Sequence, residues 1–214
     1  MPGAACPSLA RGNLSDRGAS LSVDWLYDAQ LREARRARTW RYVWTGINGV
    51  LAVGSFALLP FVERDQRIEL VVGGAGSTVA SLFTWFVPLD IEAALARKVQ
   101  PANLCQRLVV EEQFMTAAAS DEVSRVTWPW HLVNLGFAVS YTLIVGFGTD
   151  RWPNGILDGV VALAVGEAQL FTQPTRLGDQ WEAYRRNPGI TPKAWSVAAL
   201  PQRGGISATF RIAF

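Results

Sequence analysis

The chain has 214 residues, 50% hydrophobic and 18% charged, with 20 basic and 18 acidic side chains and a net charge of +2. So small a charge, with no dense basic tract, excludes a typical nucleic-acid binder. One His and two Cys are too few for a zinc centre or a bis-His haem within one chain, so no metal or cofactor is expected.

Residues 1–41 form a polar, Arg-rich segment with no apolar core of the kind a signal peptide needs. Its first part is expected to be disordered. From 24 to 41 it reads as an amphipathic juxtamembrane helix, with Trp25, Leu26, Leu31 and Trp40 as apolar anchors. Arg32, Arg35, Arg36 and Arg38 suit anionic headgroups. Cys6 and Cys105 lie in unrelated segments, and no disulfide is expected between them.

Four stretches with almost no charge follow, at about 42–62, 70–89, 126–149 and 156–174. A hydrocarbon layer about 30 Å thick needs about 20 apolar residues in a helix, so each stretch is long enough, or nearly so, to span a bilayer. The expected fold is therefore an all-α membrane protein, a bundle of four transmembrane helices occupying 42–174. Trp40, Trp44, Trp85, Trp128, Trp130 and Trp152 fall near the ends of these stretches, where indole rings favour the headgroup boundary as interfacial anchors. Glycines 46, 49 and 54, and the run 73–77, suit close helix pairing, by default within the monomer.

The loop after the second stretch reads as helical over 91–99 and 101–119, with Pro101 in a first turn. Leu104, Leu108, Phe114, Met115 and Ala118 form a partial apolar stripe, and Ser120 opens a fresh turn. Asp158-Gly159 reads as a turn or helix start, without the further aspartates of a metal-dependent lipid transferase. The tail, 175–214, carries a strand at 195–200, a turn, and a second strand at 206–214 in which apolar residues alternate. That last segment, ending in Phe214, resembles the final strand of bacterial outer-membrane barrels. No series of alternating segments of about ten residues accompanies it, and a short hairpin-like appendage is expected.

Four spans place the N-terminus, the loop 90–125 and the tail on one side. All the basic residues except Arg64, Arg67 and Arg151 then share that side, so both termini are expected in the cytoplasm of a multi-pass protein of the bacterial inner membrane. An export signal ahead of Met1 would reverse this orientation.

Glu167 is the ionisable group placed deepest, about 10 Å from the end of the fourth stretch if that helix runs to 174, and an intramembrane acid is a functional hypothesis by default. At comparable depth lie Asn48, Thr84, Ser81 and Asn134, with His131 one turn from Asn134 on the same face. These residues form a candidate polar site. It serves either as a proton or solute path or as hydrogen-bonding cement between helices, with cement favoured about two to one because one carboxyl is thin equipment for transport. No phosphate loop, nucleophile elbow, zinc-protease or paired-cysteine motif occurs. The expected function is that of a structural or assembly component whose partners are the lipid bilayer and a second copy or another membrane protein. A small transporter or channel around Glu167 is the alternative, and a membrane-embedded enzyme comes third.

Overall fold

A computed structural model describes residues 5–125 and 127–186 in full, together with the backbone of 195–202 and 205–212. It is mostly helical. Two short strands, β1 (Cys6–Ser8) and β2 (Gly12–Leu14), pair antiparallel and lead into α1 (Asp16–Leu58). Ser15 caps that helix by accepting the Gly18 N–H at 3.3 Å, and Asp16 adds negative charge to its first turn. Then come α2 (Arg64–Phe86), α3 (Asp90–Arg97), α4 (Leu104–Arg125), α5 (Trp128–Thr149), α6 (Trp152–Phe171) and α7 (Leu177–Arg186). A second antiparallel pair, β3 (Trp195–Gln202) and β4 (Gly205–Ile212), closes the chain. The two strands agree with the expected pair, but Pro201, Gln202 and Gly205, expected in the turn, belong to the strands, and residues 203–204 and Phe214 lie outside the described residues.

Three helical stretches, Asp16–Phe61, Arg64–Arg97 and Leu104–Thr149, are long and apolar enough to cross a membrane. In α6 the two acids Asp158 and Glu167 dilute the apolar content, and it is not among the three. The outer surfaces of these stretches and of α6 are apolar in the way lipid-facing helices are. Val50, Val53, Phe83, Val133, Phe147 and Val160 are all exposed.

Several boundaries depart from the sequence reading. The juxtamembrane helix is not a separate element lying on the membrane, because α1 continues unbroken through it for 43 residues. Its face formed by Ala19, Val23, Leu26, Ala29, Ala34 and Ala37 is buried against protein. The expected loop at 63–69 shrinks, since α2 already begins at Arg64. Pro101 does not open α4. Asn103 does, its side-chain oxygen accepting from the backbone N–H of Cys105 (2.9 Å) and Gln106 (3.2 Å). Ser120 starts nothing new, because α4 runs through it to Arg125. Asp158-Gly159 lies inside α6, which starts at Trp152 with Pro153 in its first turn and ends at Phe171. The disordered N-terminal segment is instead the β1–β2 hairpin, and Cys6 and Cys105 are joined in a disulfide across 99 positions of sequence.

The hairpin, the first half of α1, α3, α4 and α7 share one apolar core containing Cys6, Leu26, Leu108, Met115, Leu177 and Tyr184. Tyr184 is flanked by Trp25 and Trp181, both stacked on its ring. From this module α1 and α2 run out and back as one pair, and α5 and α6 as another, with α2 packed against α5.

Glycines set how closely these helices approach. Gly49 faces Ser81, whose hydroxyl donates to Thr45 O at 3.0 Å across the α1–α2 seam. Gly73 and Gly76 receive Tyr141 and Phe137 of α5, whereas Gly46 and Gly54 face open space. The tightest seam is α5–α6, joined by Asp150 in the left-handed conformation at φ 55°. A Cβ on Gly155 would come within 2.8 Å of Thr142 O, and one on Gly159 within 2.9 Å of Ala138 O, both backbone atoms. Backbone cannot swing away, so Gly155→Ala is expected to force the helices apart and destabilise the protein by about 1–3 kcal/mol. Gly54→Ala, in open space, should not. Unfolding in detergent, compared for the two variants, checks this.

Candidate functional site

The expected polar layer is only partly assembled. His131, in the first turn of α5, places Nδ1 2.6 Å from Glu167 Oε2, and Asn134 Nδ2 donates to Glu167 Oε1 at 3.1 Å. The i, i+3 spacing of His131 and Asn134 brings both onto the α6-facing side. Gly166 makes room for this contact, since a Cβ there would meet Asn134 at 2.8 Å. Phe171 packs against the imidazole with ring centroids 5.7 Å apart. Because α6 stops at Phe171, Glu167 lies only about 6 Å from the helix end, nearer that end than the sequence implied. The His131 and Glu167 side chains remain 35% and 23% exposed, so the pair faces outward along the α5–α6 seam.

Thr84 and Asn48 do not join this triad. Thr84 donates to Ala80 O at 2.7 Å and accepts from Gln169 Nε2 at 3.2 Å, tying α2 to α6. Asn48 is buried and donates to Trp44 O in its own helix at 2.9 Å. The layer thus comprises a Glu167 group facing α5 and a Gln169–Thr84 pair facing α2. Of the tryptophans expected at the membrane boundary, Trp40 and Trp44 both donate their indole N–H to Thr172 Oγ1, at 3.2 and 2.9 Å, holding α1 to the end of α6. Trp85, Trp128, Trp130 and Trp152 keep large exposed surfaces.

The densest polar chemistry lies in the module, where the sequence reading placed no site. Glu33, Glu111, Glu112 and Glu122 are all buried. Glu112 accepts from Ser8 Oγ, from the Leu9 N–H at 2.6 Å and from Tyr184 Oη at 2.6 Å, binding the hairpin and α7 to α4. Burial first, and Glu112 second, push the Tyr184 phenol up to about 12. Glu111 pairs with Lys98, which also donates to Gln30 Oε1 at 2.7 Å. Burial lowers the Lys98 pKa, against the opposing pull of Glu111. Glu33 and Glu122 accept from the backbone N–H groups of Arg176 (3.2 Å) and Leu177 (2.8 Å), supplying from α1 and α4 the acceptors that the start of α7 needs. At the boundary, Arg41 forks onto Glu92 at 3.2 and 3.1 Å and donates to Trp85 O, joining α1, α2 and α3.

Glu122 titrates in the physiological range. Burial raises its pKa to about 7, outweighing the lowering by the Leu177 N–H, and its Oε1 has no hydrogen-bond partner among the described residues. The folded state therefore holds this proton above the pH at which the unfolded chain, near 4.5, has released it. The stabilisation is fully present below about 4.5 and is lost as pH rises through about 7. Glu122→Gln is expected to flatten that slope in a thermal-unfolding series from pH 5 to 8, whereas Asp121→Asn, on the exposed neighbour, should leave it unchanged.

Spacing could have revealed part of this cluster. Leu108, Glu111, Glu112, Met115, Ala118, Ala119 and Glu122 follow one helical stripe, so the acids occupy core positions of α4. The disulfide has no such local signal, because only the folded path brings Cys6 to Cys105. Comparison with protein-family models, curated proteins and solved structures finds no match to the chain.

Proposed function

We propose that this chain is a four-span membrane protein that works as an assembly component, docking a second copy or another membrane protein along the α5–α6 seam. The observation that carries this reading is the outward-facing Glu167–His131–Asn134 triad. Polar groups on a lipid-facing surface are costly, and a partner helix bringing its own donors would relieve that cost. The fourth span is supported by the return of α7 to the module that α5 leaves. At 22 and 20 residues, α5 and α6 run about 33 Å out and 30 Å back. The basic-residue bias favours the module on the cytoplasmic side of a bacterial inner membrane, with both termini inside.

The test is association in mild detergent and in bilayers. Glu167→Leu is expected to weaken self-association or partner capture about tenfold while leaving the monomer folded, whereas Glu167→Gln, which keeps a hydrogen-bonding side chain, should retain most of it. The second reading, a proton or solute path, is favoured by the 2.6 Å His131–Glu167 contact, a distance suited to proton sharing. Loss of flux by an assembled Glu167→Gln chain in proteoliposomes would establish that reading, and undiminished association of the folded Glu167→Leu chain would overturn the first.

A further inference from the structure

A groove of about 540 Å³ runs along α1 beside the end of α6, lined by Arg35, Arg36, Thr39, Trp40, Val43 and Trp44, with Ile47 and Thr172 completing it. Its polarity is graded. Arg35 and Arg36 stand at the module end, the two indoles occupy the middle, and Val43 and Ile47 line the part inside the first apolar stretch. From Arg36 to Ile47 is about 16 Å along the helix, enough to reach from headgroup level into the acyl region. The indole N–H groups are already committed to Thr172, so they present their apolar ring surfaces to an occupant.

Charge selects the headgroup. Arg35 and Arg36 are exposed at the rim, and exposed Arg176 is held nearby, its backbone N–H on the same Glu33 carboxylate that takes Arg36 at 2.9 Å. Glu33 itself is fully buried and engaged by both groups, so the acid in this neighbourhood does not face the groove.

We propose that this groove binds one anionic phospholipid, its phosphate held by Arg35 and Arg36 and one acyl chain lying over Trp40, Val43, Trp44 and Ile47. Arginine suits the phosphate because its planar fork offers paired donors, and the apolar floor selects a lipid over a free phosphate ion. The site lies against α1 and the end of α6 and does not depend on the α5–α6 docking reading. It requires only that α1 sits in a bilayer.

Native mass spectrometry of the full chain, released from micelles doped with phosphatidylglycerol or phosphatidylcholine, tests the proposal. The wild type is expected to retain one phosphatidylglycerol at least fivefold more than phosphatidylcholine. Arg35→Gln/Arg36→Gln should abolish that preference. Val43→Trp, which fills the floor and leaves the rim charges in place, should lower retention of both lipids, with helical content by circular dichroism confirming that each variant is folded. Equal retention of the two lipids by the wild type would overturn the proposal, as would full retention in the folded Val43→Trp chain. Retention removed equally by inorganic phosphate and by lipid would also overturn it, by showing a headgroup site without an acyl chain.

Discussion

Glu111→Leu is expected to destabilise the protein by about 3–5 kcal/mol, because it strands the Lys98 ammonium inside the module with its counter-ion removed. The two side chains are 1% and 4% exposed, so water cannot readily replace the lost partner. Gln30 Oε1 still accepts one Lys98 proton, which leaves the others without acceptors and makes the variant sensitive to pH. Without Glu111 the opposing pull on Lys98 disappears, and its already lowered pKa falls further below that of the unfolded chain. The unfolded chain then binds more protons than the folded one, so the variant should regain stability as pH rises towards the normal lysine range. The double variant Glu111→Leu/Lys98→Met removes both charges and should recover most of the loss, because a matched apolar pair avoids the desolvation that the ion pair incurs. Denaturant unfolding of the wild type, each single variant and the double variant gives the coupling directly. A double variant as unstable as Glu111→Leu would show that the carboxylate acts through something other than Lys98.

Breaking the Cys6–Cys105 link is expected to have the next largest effect. The bond closes a loop of about 100 residues, for which chain-entropy arguments give up to about 4.7 kcal/mol and measured disulfides typically give 2–4 kcal/mol. Cys6→Ser/Cys105→Ser should lower stability by about that amount and expose the β1–β2 hairpin to protease first, since Glu112 is then its main remaining anchor to α4. The bond also bears on orientation. The proposed orientation would put the module in a reducing cytoplasm, whereas disulfides persist in oxidising compartments. With the proposed orientation, both thiols should be reduced in growing cells and trapped by a membrane-permeant alkylating reagent, the bond closing on oxidation after lysis. Resistance to alkylation in intact cells would place the module on the opposite side of the membrane and reverse the topology.

What the sequence made legible follows from the range over which each signal acts. Long uncharged runs report on their own length, so α1, α2 and α5 were readable, and the alternation near the C-terminus foreshadowed β3 and β4. The contact of Glu167 with His131 and Asn134 was readable too, because all three fall at one depth in helices that sit side by side. Asn48 fell at the same depth but turned to its own backbone, a choice of azimuth that depth alone does not constrain. The module was largely illegible because its core comes from four separated segments. The apolar stripe of α4 is legible from spacing, but nothing local tells Glu111, Glu112 and Glu122, on the same stripe, from solvent-facing charges. Gly155 and Gly159, four apart, carry a close-packing spacing, but Asp158-Gly159 also reads as a turn or helix start, which masks it.

The length of α1 has a mechanical consequence. From Tyr42, where the first apolar stretch begins, back to Asp16 the helix extends about 39 Å, with the module packed along it as on a mast. A re-tilt of about 10° in the membrane-spanning part, of the kind a thinner or thicker bilayer imposes, swings the far end of this mast sideways by about 7 Å. The module travels with it as a load on a lever arm, and a small change of tilt within the lipid becomes a displacement wider than a water molecule at the surface it presents to the aqueous phase.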